Sequence, residues 1–313
     1  MSSIRLRVLS VVAPLACTAV MAAPSTAQPA ALVAQLRGNV KVIAGGGGPA
    51  EPVRVGLRLE LGDSLDVAPG SRATLLYNNG RLVAATSSLV VAPVGGAGAQ
   101  AIHARAAASL EEARRQGRPD AAAGVGRPPP SGAYPLEPVR RVSVVAVRPT
   151  FRWQGDDGAS GYTLQIRPTA GGIPRRYSVD GTGPWTLPDS AAPLTAGEEY
   201  AWTVVPAGGG RMPGEERFVV LTDGERESVT AFRAALVGAG LDPDADGGFV
   251  AAAFYADLGL LHDADQALSA FRATLPEGAA GPVVDLLATR ILEGLGRTDE
   301  ALEAFERATG GGG

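Results

Sequence analysis

EYAWTVVP, residues 199–206, alternates cleanly: Tyr200, Trp202 and Val204 fall on one side of an extended chain, Ala201 and Thr203 on the other. YTLQIR at 162–167 repeats the pattern, with Tyr162, Leu164 and Ile166 opposite Thr163, Gln165 and Arg167. TFRWQ at 150–154 sets Phe151 and Trp153 on one face, and RRYSV (175–179) and ERFVVL (216–221) are further β-prone runs. Antiparallel strands with one core face and one wet face carry this signature. Residues 141–222 are therefore expected to form an antiparallel β-sandwich. Exposed tryptophans could instead form a sugar-stacking platform. Trp153 and Trp202 share the periodicity of Leu164 and Val204, so they are read as core; Trp185 is less constrained and is also read as packing.

Downstream, 223–310 reads as helical. ALSAFRATL (267–275) and ALEAFERAT (301–309) coincide at an offset of 34 residues, with Leu258 meeting Leu292, Leu261 meeting Leu295, Ala267 meeting Ala301 and Phe271 meeting Phe305. SVTAFRAAL (228–236) is a third copy, read as a lone helix bridging the sandwich to the repeats and opened by Thr222 and Glu225. Small alanines let two helices approach, and the phenylalanine four residues on fills the space beside them. Thr298 is expected to cap its helix, and Asp263 with Gln266 to form a capping box. Two such units fall below the roughly three needed for independent stability, so they should lean on the sandwich or on a partner.

Upstream, 28–92 reads as short strands. NVKVI (39–43) alternates, Leu57, Leu59 and Leu61 follow at period two, and RATLLYNNGRLVAA (72–85) is a hairpin turning at Asn79 and Gly80. Its first strand puts Ala73, Leu75 and Tyr77 on one face and Arg72, Thr74 and Leu76 on the other. Residues 93–140 contain seven Gly, seven Pro and twelve Ala among 48 positions, a composition without a core and therefore a linker. AIHARAAASLEEARRQ (101–116) is a possible polar helix within it, with His103 solvated.

Residues 1–27 read as a signal peptide: Arg5 and Arg7, an apolar run, and small residues ending at Ala27. The run is short of the ~20 residues of a membrane span. An uncleaved anchor and a lipoprotein at Cys17 are the alternatives, although Pro14 replaces the leucine a lipoprotein signal would place there. Cleavage after Ala27 leaves no cysteine, and a mature chain with 26 basic and 32 acidic groups. That mildly acidic balance argues against nucleic acid, and membrane contact is expected only through the N-terminal segment if it is retained.

The inventory for chemistry is sparse. Two histidines and one cysteine are present in 313 residues, with no His-Glu-x-x-His and no Gly-x-Ser-x-Gly. The acidic pairs Asp156-Asp157, Glu198-Glu199 and Glu215-Glu216 are read as solvated, and no catalytic, cofactor-binding or metal-binding residue is assigned. DPDADGG (242–248) spaces Asp242, Asp244, Asp246 and Gly247 as in a calcium loop, but Ala253 stands where a bidentate Glu is needed. Whether these acids bind calcium is left open.

Three resemblances attach to these residues. Gly38, Val40, Gly62, Asp63, Gly70, Ser71, Asn79 and Gly80 fall as in the extracytoplasmic β-domain of the FecR family, over about residues 31–92. PLTAGEEYAW (193–202), with Leu194 and Gly197 before Tyr200, resembles fibronectin type III and immunoglobulin-like modules over about 141–222. LGRTDEALEAFERA (295–308) resembles the second helix of the tetratricopeptide repeat; with the preceding unit, where His262 stands for the turn glycine Gly296, it covers about 249–309. Together they imply a multidomain chain, β then α, exported from a bacterial cytoplasm to the periplasm or beyond. The expected role is a non-enzymatic scaffold or sensor for proteins or envelope polymers, without cofactor. The alternatives are a membrane-tethered FecR-type signalling component and a cell-wall enzyme working through carboxylates.

Overall fold

A computed structural model describes residues 30–79, 81–94, 100–115, 132–156, 158–208, 214–276 and 278–310. The signal-peptide reading, Cys17 and the side chain of His103 lie outside the described residues.

The N-terminal β-domain is two four-stranded sheets, β4-β1-β6-β7 and β3-β2-β5-β8. The strands are β1 (Ala31–Arg37), β2 (Val40–Ile43), β3 (Glu51–Pro52), β4 (Arg58–Leu59), β5 (Ser64–Val67), β6 (Arg72–Tyr77), β7 (Leu82–Ala85) and β8 (Leu89–Val90). Val33, Leu59, Leu65, Ala73 and Leu75 form its core. The Leu57–Leu59–Leu61 alternation is not a long strand: it pairs only at β4, and Gly62 turns the chain at a φ of 93°, leaving Leu61 exposed. The hairpin at 72–85 forms, but Tyr77 donates its N–H to the Arg81 carbonyl, so the connection is three residues long and not the two of a type I′ turn.

The sandwich sets β14 (Trp185–Thr186), β11 (Thr150–Gln154) and β9 (Tyr134–Glu137) against β10 (Val142–Val144), β16 (Glu216–Val220), β15 (Glu199–Pro206), β12 (Gly161–Pro168) and β13 (Arg175–Asp180), in those orders. The first strand switches sheets: β9 pairs with β11, whereas β10 runs parallel to β16. Phe151, Trp153, Tyr162, Leu164, Ile166, Trp202 and Phe218 fill the interior as the alternation predicts. Edge-to-face contacts of Phe151 with Trp202 (4.9 Å) and Phe218 (5.7 Å) lock the centre. The opposite face of β15 is drier than the alternation implies. Ala201 and Thr203 are buried, because Ala201 stands in register between Arg167 and Arg217, whose long stems flank it.

Among the described residues, six helices follow the sheets or are inserted between them: α1 (Gln100–Arg115), α2 (Asp223–Gly238), α3 (Gly248–Asp257), α4 (Leu261–Thr274), α5 (Pro282–Leu295) and α6 (Thr298–Thr309). The pairs α3/α4 and α5/α6 are antiparallel hairpins packed side by side. Thr222 and Glu225 form the expected capping box on α2. The other two caps do not form: Thr298 and Asp263 lie inside α6 and α4, after Arg297 and Leu260, and neither helix has a side-chain cap. Nor is His262 at a turn-glycine position. The first hairpin turns at Gly259 (φ 74°), so α3 is four residues shorter than α5 and the 34-residue register slips through the turn. Phe271 is fully buried, whereas Phe305 is only half-covered because α6 is the outer helix of the pair.

Two departures concern elements that composition made look detached. The helix α2 is not a lone bridge: Phe232 stacks on Phe254 at 4.0 Å and joins the helical core. The helix α1, inside the segment read as linker, packs on α3 and α5 with Ala106, Ser109, Leu110 and Ala113 buried. Among its described side chains the buried ones are two alanines, a serine and a leucine, a set that composition alone does not separate from a solvated helix.

Candidate interaction site

The helical layer is where the other modules meet, and each contact can be built from the sequence. The helix α3 is apolar all round: Phe249, Val250, Ala251, Ala252, Ala253 and Phe254 are completely buried. A helix with no polar face must be covered on every side. Here α2, α4, α5, α1 and strand β1 supply that cover.

The N-terminal β-domain reaches it through the face of the hairpin that carries Arg72, Thr74 and Leu76. A bulge in β1 between Val33 and Gln35 shifts the β1/β6 register, so Gln35 comes out on the same side as Leu32 and Ala34, opposite Thr74. Gln35 then accepts from Thr74 Oγ1 at 2.8 Å and donates to Asp246. Beside this chain Leu32, Ala34 and Leu76 enter the helical core. Arg72 donates to the Ala239 carbonyl at 3.1 Å, and Val55 pairs in parallel with Ala280. Gly56, at a φ of 82°, lies against Val283 so closely that any side chain would collide.

Those contacts account for the calcium-like loop. Asp246 accepts from Gln35 and from the Asp242 N–H (2.8 Å); Asp242 accepts from the Asp244 N–H (3.0 Å), an Asx turn. Asp244 is gripped by Arg233 through two bonds of 3.0 and 2.6 Å, and Arg233 also donates to the Tyr255 hydroxyl at 2.9 Å. The guanidinium hydrogen bonds hold the Asp244 carboxyl below its ordinary range, while burial raises the Tyr255 phenol. The three carboxylates thus turn to three different protein partners, and no cluster of three metal-ligating side chains occurs among the described residues. Arg233, Asp244, Tyr255, Asp263 and Gln266 line a cleft of about 130 Å³. Within it Arg233 and Asp244 neutralise each other, while burial raises the Asp263 carboxyl above its ordinary range.

The sandwich meets the helices at the turns of both hairpins. Ser143 donates its N–H to the Gly259 carbonyl at 2.8 Å, and Arg140 lies across Gly296. Arg140 and Arg141 have φ of 55° and 64°, a left-handed pair unusual for residues with side chains. It is held by Arg140 N–H to Glu216 (2.9 Å) and Arg141 N–H to the Arg217 carbonyl (2.8 Å). Glu137, at the end of β9, stands 3.9 Å from His262 Nδ1. Burial lowers the His262 pKa, and its Nε2 is buried without a partner among the described residues. Sequence reading missed this joint. Its signals, a half-apolar histidine and an Arg-Arg pair after a proline, are too common to point to a contact.

A second cleft, of about 180 Å³, lies along α4, α5 and α6. Asp285 receives Arg272 (2.5 Å) and Arg307 (3.2 Å), and Arg297 bridges Asp265 (2.6 Å) and Glu300 (2.5 Å). Such ladders on a partly wet surface contribute little each, ~0–1 kcal/mol, but they fix a pattern of charge. Of the tryptophans, Trp153 and Trp202 are core, and Trp202 donates to the Pro138 carbonyl at 2.6 Å. Trp185 is half-buried between Tyr177 (4.9 Å) and Phe151 (6.0 Å). The acidic pairs divide in the same way: Glu199 serves Arg141 and Thr169, Glu215 pairs with Arg167 at 2.6 Å, and Glu198 accepts from Tyr200.

No protein-family model matches the chain, and no curated protein matches it. Among solved structures it is similar to a two-domain fibronectin type III segment of chicken tenascin, at 13% identity and a TM-score of 0.20, covering 61% of this chain and 92% of that one. It is also similar to the FN1–FN3 domains of chicken CNTN1, at 10% identity and a TM-score of 0.20, covering 61% of this chain. This chain spans 58% of that segment. At that level of similarity the strand order is the stronger guide. The sheets β14-β11-β9 and β10-β16-β15-β12-β13, and a tyrosine corner in which Tyr200 Oη accepts the Thr195 N–H at 2.9 Å, make residues 134–220 a fibronectin type III/immunoglobulin-like sandwich.

Proposed function

We propose that this chain is an exported, non-enzymatic interaction protein of the bacterial cell envelope, a scaffold or sensor. In this reading a FecR-like β-domain and tetratricopeptide-like hairpins flank the sandwich. One observation carries the reading: the aromatic rings and carboxylates that the sequence offers for chemistry are engaged by the protein itself, within a module or, for Asp246, between two of them. Asp244 and Asp246 fasten loops, Glu199 and Glu215 pair with arginines, and Trp153 and Trp202 are sealed in the sandwich. What the described surface offers is relief and charge pattern, such as the Arg/Asp ladder of α4 to α6. Those features suit recognition of a protein or an envelope polymer better than turnover of a small substrate.

The test is made on the protein produced from its full gene in a bacterial host. The mature chain is expected to begin at Gln28, outside the cytoplasm, and to co-purify with a defined envelope component. A chain that keeps its first 27 residues and stays with the membrane favours the tethered signalling alternative. Release of soluble fragments from purified cell wall, abolished by changing a cleft carboxylate, would replace the binding reading with an enzymatic one.

A further inference from the structure

The strand β13 (Arg175–Asp180) closes one side of the five-stranded sheet of the sandwich, with β12 as its sole neighbour. The Gly181 N–H donates to the Ser160 carbonyl at 3.4 Å, which fixes the phase of the ladder. Arg175, Tyr177 and Val179 turn their main-chain groups to β12, and Arg176, Ser178 and Asp180 turn theirs outward. Among the described residues nothing bonds those outward N–H and C=O groups. The other edges of the sandwich are blunted: β14 is two residues long, β9 carries Pro135, and the Ser143 N–H of β10 is bonded to the Gly259 carbonyl. In contrast β13 runs free for six residues.

The side chains along this edge are as specific as its backbone. Tyr177 and Val179 face the sandwich interior, so Arg176, Ser178 and Asp180 stand on the wet face, all three exposed. Arg175 is bonded to the Ala192 carbonyl and Arg167 to Glu215, whereas Arg176 and Asp180 have no partner among the described residues. Opposite charges two residues to either side of Ser178 make the strand complementary to itself. In an antiparallel pair centred on Ser178, Arg176 lies opposite Asp180 of a second copy, and Asp180 opposite its Arg176, at about 5 Å. The same register sets the outward main-chain groups face to face, so each of these pairs exchanges two hydrogen bonds. Pairs centred on Arg176 or on Asp180 would instead oppose like charges. Ile173, 90% exposed just ahead of β13, falls opposite Gly183 in this register, a residue with no side chain to obstruct it.

We infer that β13 is a dimerisation edge, on which two copies of this chain pair antiparallel about Ser178 and join two sandwiches into one continuous sheet. A two-fold contact of this kind closes on itself and does not propagate. One pair of strands covers little surface, so the dimer forms and dissociates with concentration.

The test is sedimentation velocity on the intact mature chain over roughly a hundredfold range of concentration, with circular dichroism to check folding. The natural chain is expected to pass from monomer to dimer. Arg176→Asp and Asp180→Arg each place like charges at both outer pairs and should weaken the dimer at least about tenfold. Mixed together, these two variants complement every charge and should pair with each other within about threefold of the natural affinity. Ser178→Pro removes the central outward N–H without touching the ladder to β12, and should abolish the dimer. Should that variant unfold, the charge variants, whose altered side chains are exposed, decide. A natural chain that stays monomeric, leaving the edge to a strand of another protein, overturns the proposal. So does a dimer indifferent to these substitutions, or a failure of the mixed charge variants to pair.

Discussion

Gln35 donates its side-chain amide to Asp246, 211 residues further along the chain, and through it the N-terminal β-domain is fastened to the loop ahead of α3. Gln35 is 4% exposed and Thr74, which donates to it, 1%. Removing the acceptor leaves a buried amide unsatisfied. Asp246→Ala is expected to destabilise the protein by ~1–3 kcal/mol in urea denaturation. Asp246→Asn, which keeps an acceptor oxygen, should cost less. Equal losses for the two would mean that the contact has no energetic weight.

The same geometry makes a prediction about calcium. Ligation would need Asp242, Asp244 and Asp246 to converge, at the expense of Gln35 and of the two-pronged Arg233–Asp244 pair. The thermal midpoint is expected to be the same with millimolar calcium as with chelator. A calcium-dependent rise, lost in Asp244→Ala, would show that the loop rearranges around the ion.

These two cases mark what the sequence made legible. Period-two alternation in 150–154, 162–167 and 199–206 identified the sandwich core residue by residue, because burial on one face leaves a direct imprint on composition. Repeat spacing likewise located the hairpins. What remained hidden were surfaces that one module buries against another. Thr74 and Gln35 look solvated by type and are buried by docking, and the alanines of α1 look like linker and fill a channel. The register slip at Gly259 was invisible for a different reason. Ala267 and Ala301 keep the 34-residue offset, because α4 starts earlier in its unit than α6 and makes up for the shorter α3.

At the joint between sandwich and helices, Gly296 has a φ of 75° and the Arg140 guanidinium fills the space a side chain would need. Gly296→Ala is expected to cost the ~1 kcal/mol of a left-handed alanine, because the flexible Arg140 guanidinium can swing aside. Combining it with Arg140→Ala should then give the sum of the single effects. A coupling above ~0.5 kcal/mol between the two would show that Arg140 is held in place and adds a steric cost.

His262 gives the joint a pH dependence whose sign follows from its environment. Burial lowers its folded pKa below the ordinary 6.5, against the attraction of Glu137 on β9 and of Asp263 and Asp265 on α4, and with repulsion from Arg297 ahead of α6. The unfolded chain then binds the proton more readily. The stabilisation from neutral His262 is complete above the unfolded pKa and is lost as pH falls below about 6.5 toward the folded value. Thermal midpoints between pH 7.5 and 5.5 are expected to fall more steeply for the natural chain than for His262→Gln. Parallel slopes would show that His262 titrates as it does in the unfolded chain.

The central claim is that this molecule recognises and does not react, and its most direct test is the size of the native assembly recovered from the cell envelope under mild extraction. The account expects the mature chain to elute with one partner at fixed stoichiometry, the complex surviving dilution and re-forming from separated components. A chain that elutes alone at its own mass, from extracts in which it is abundant, would contradict it.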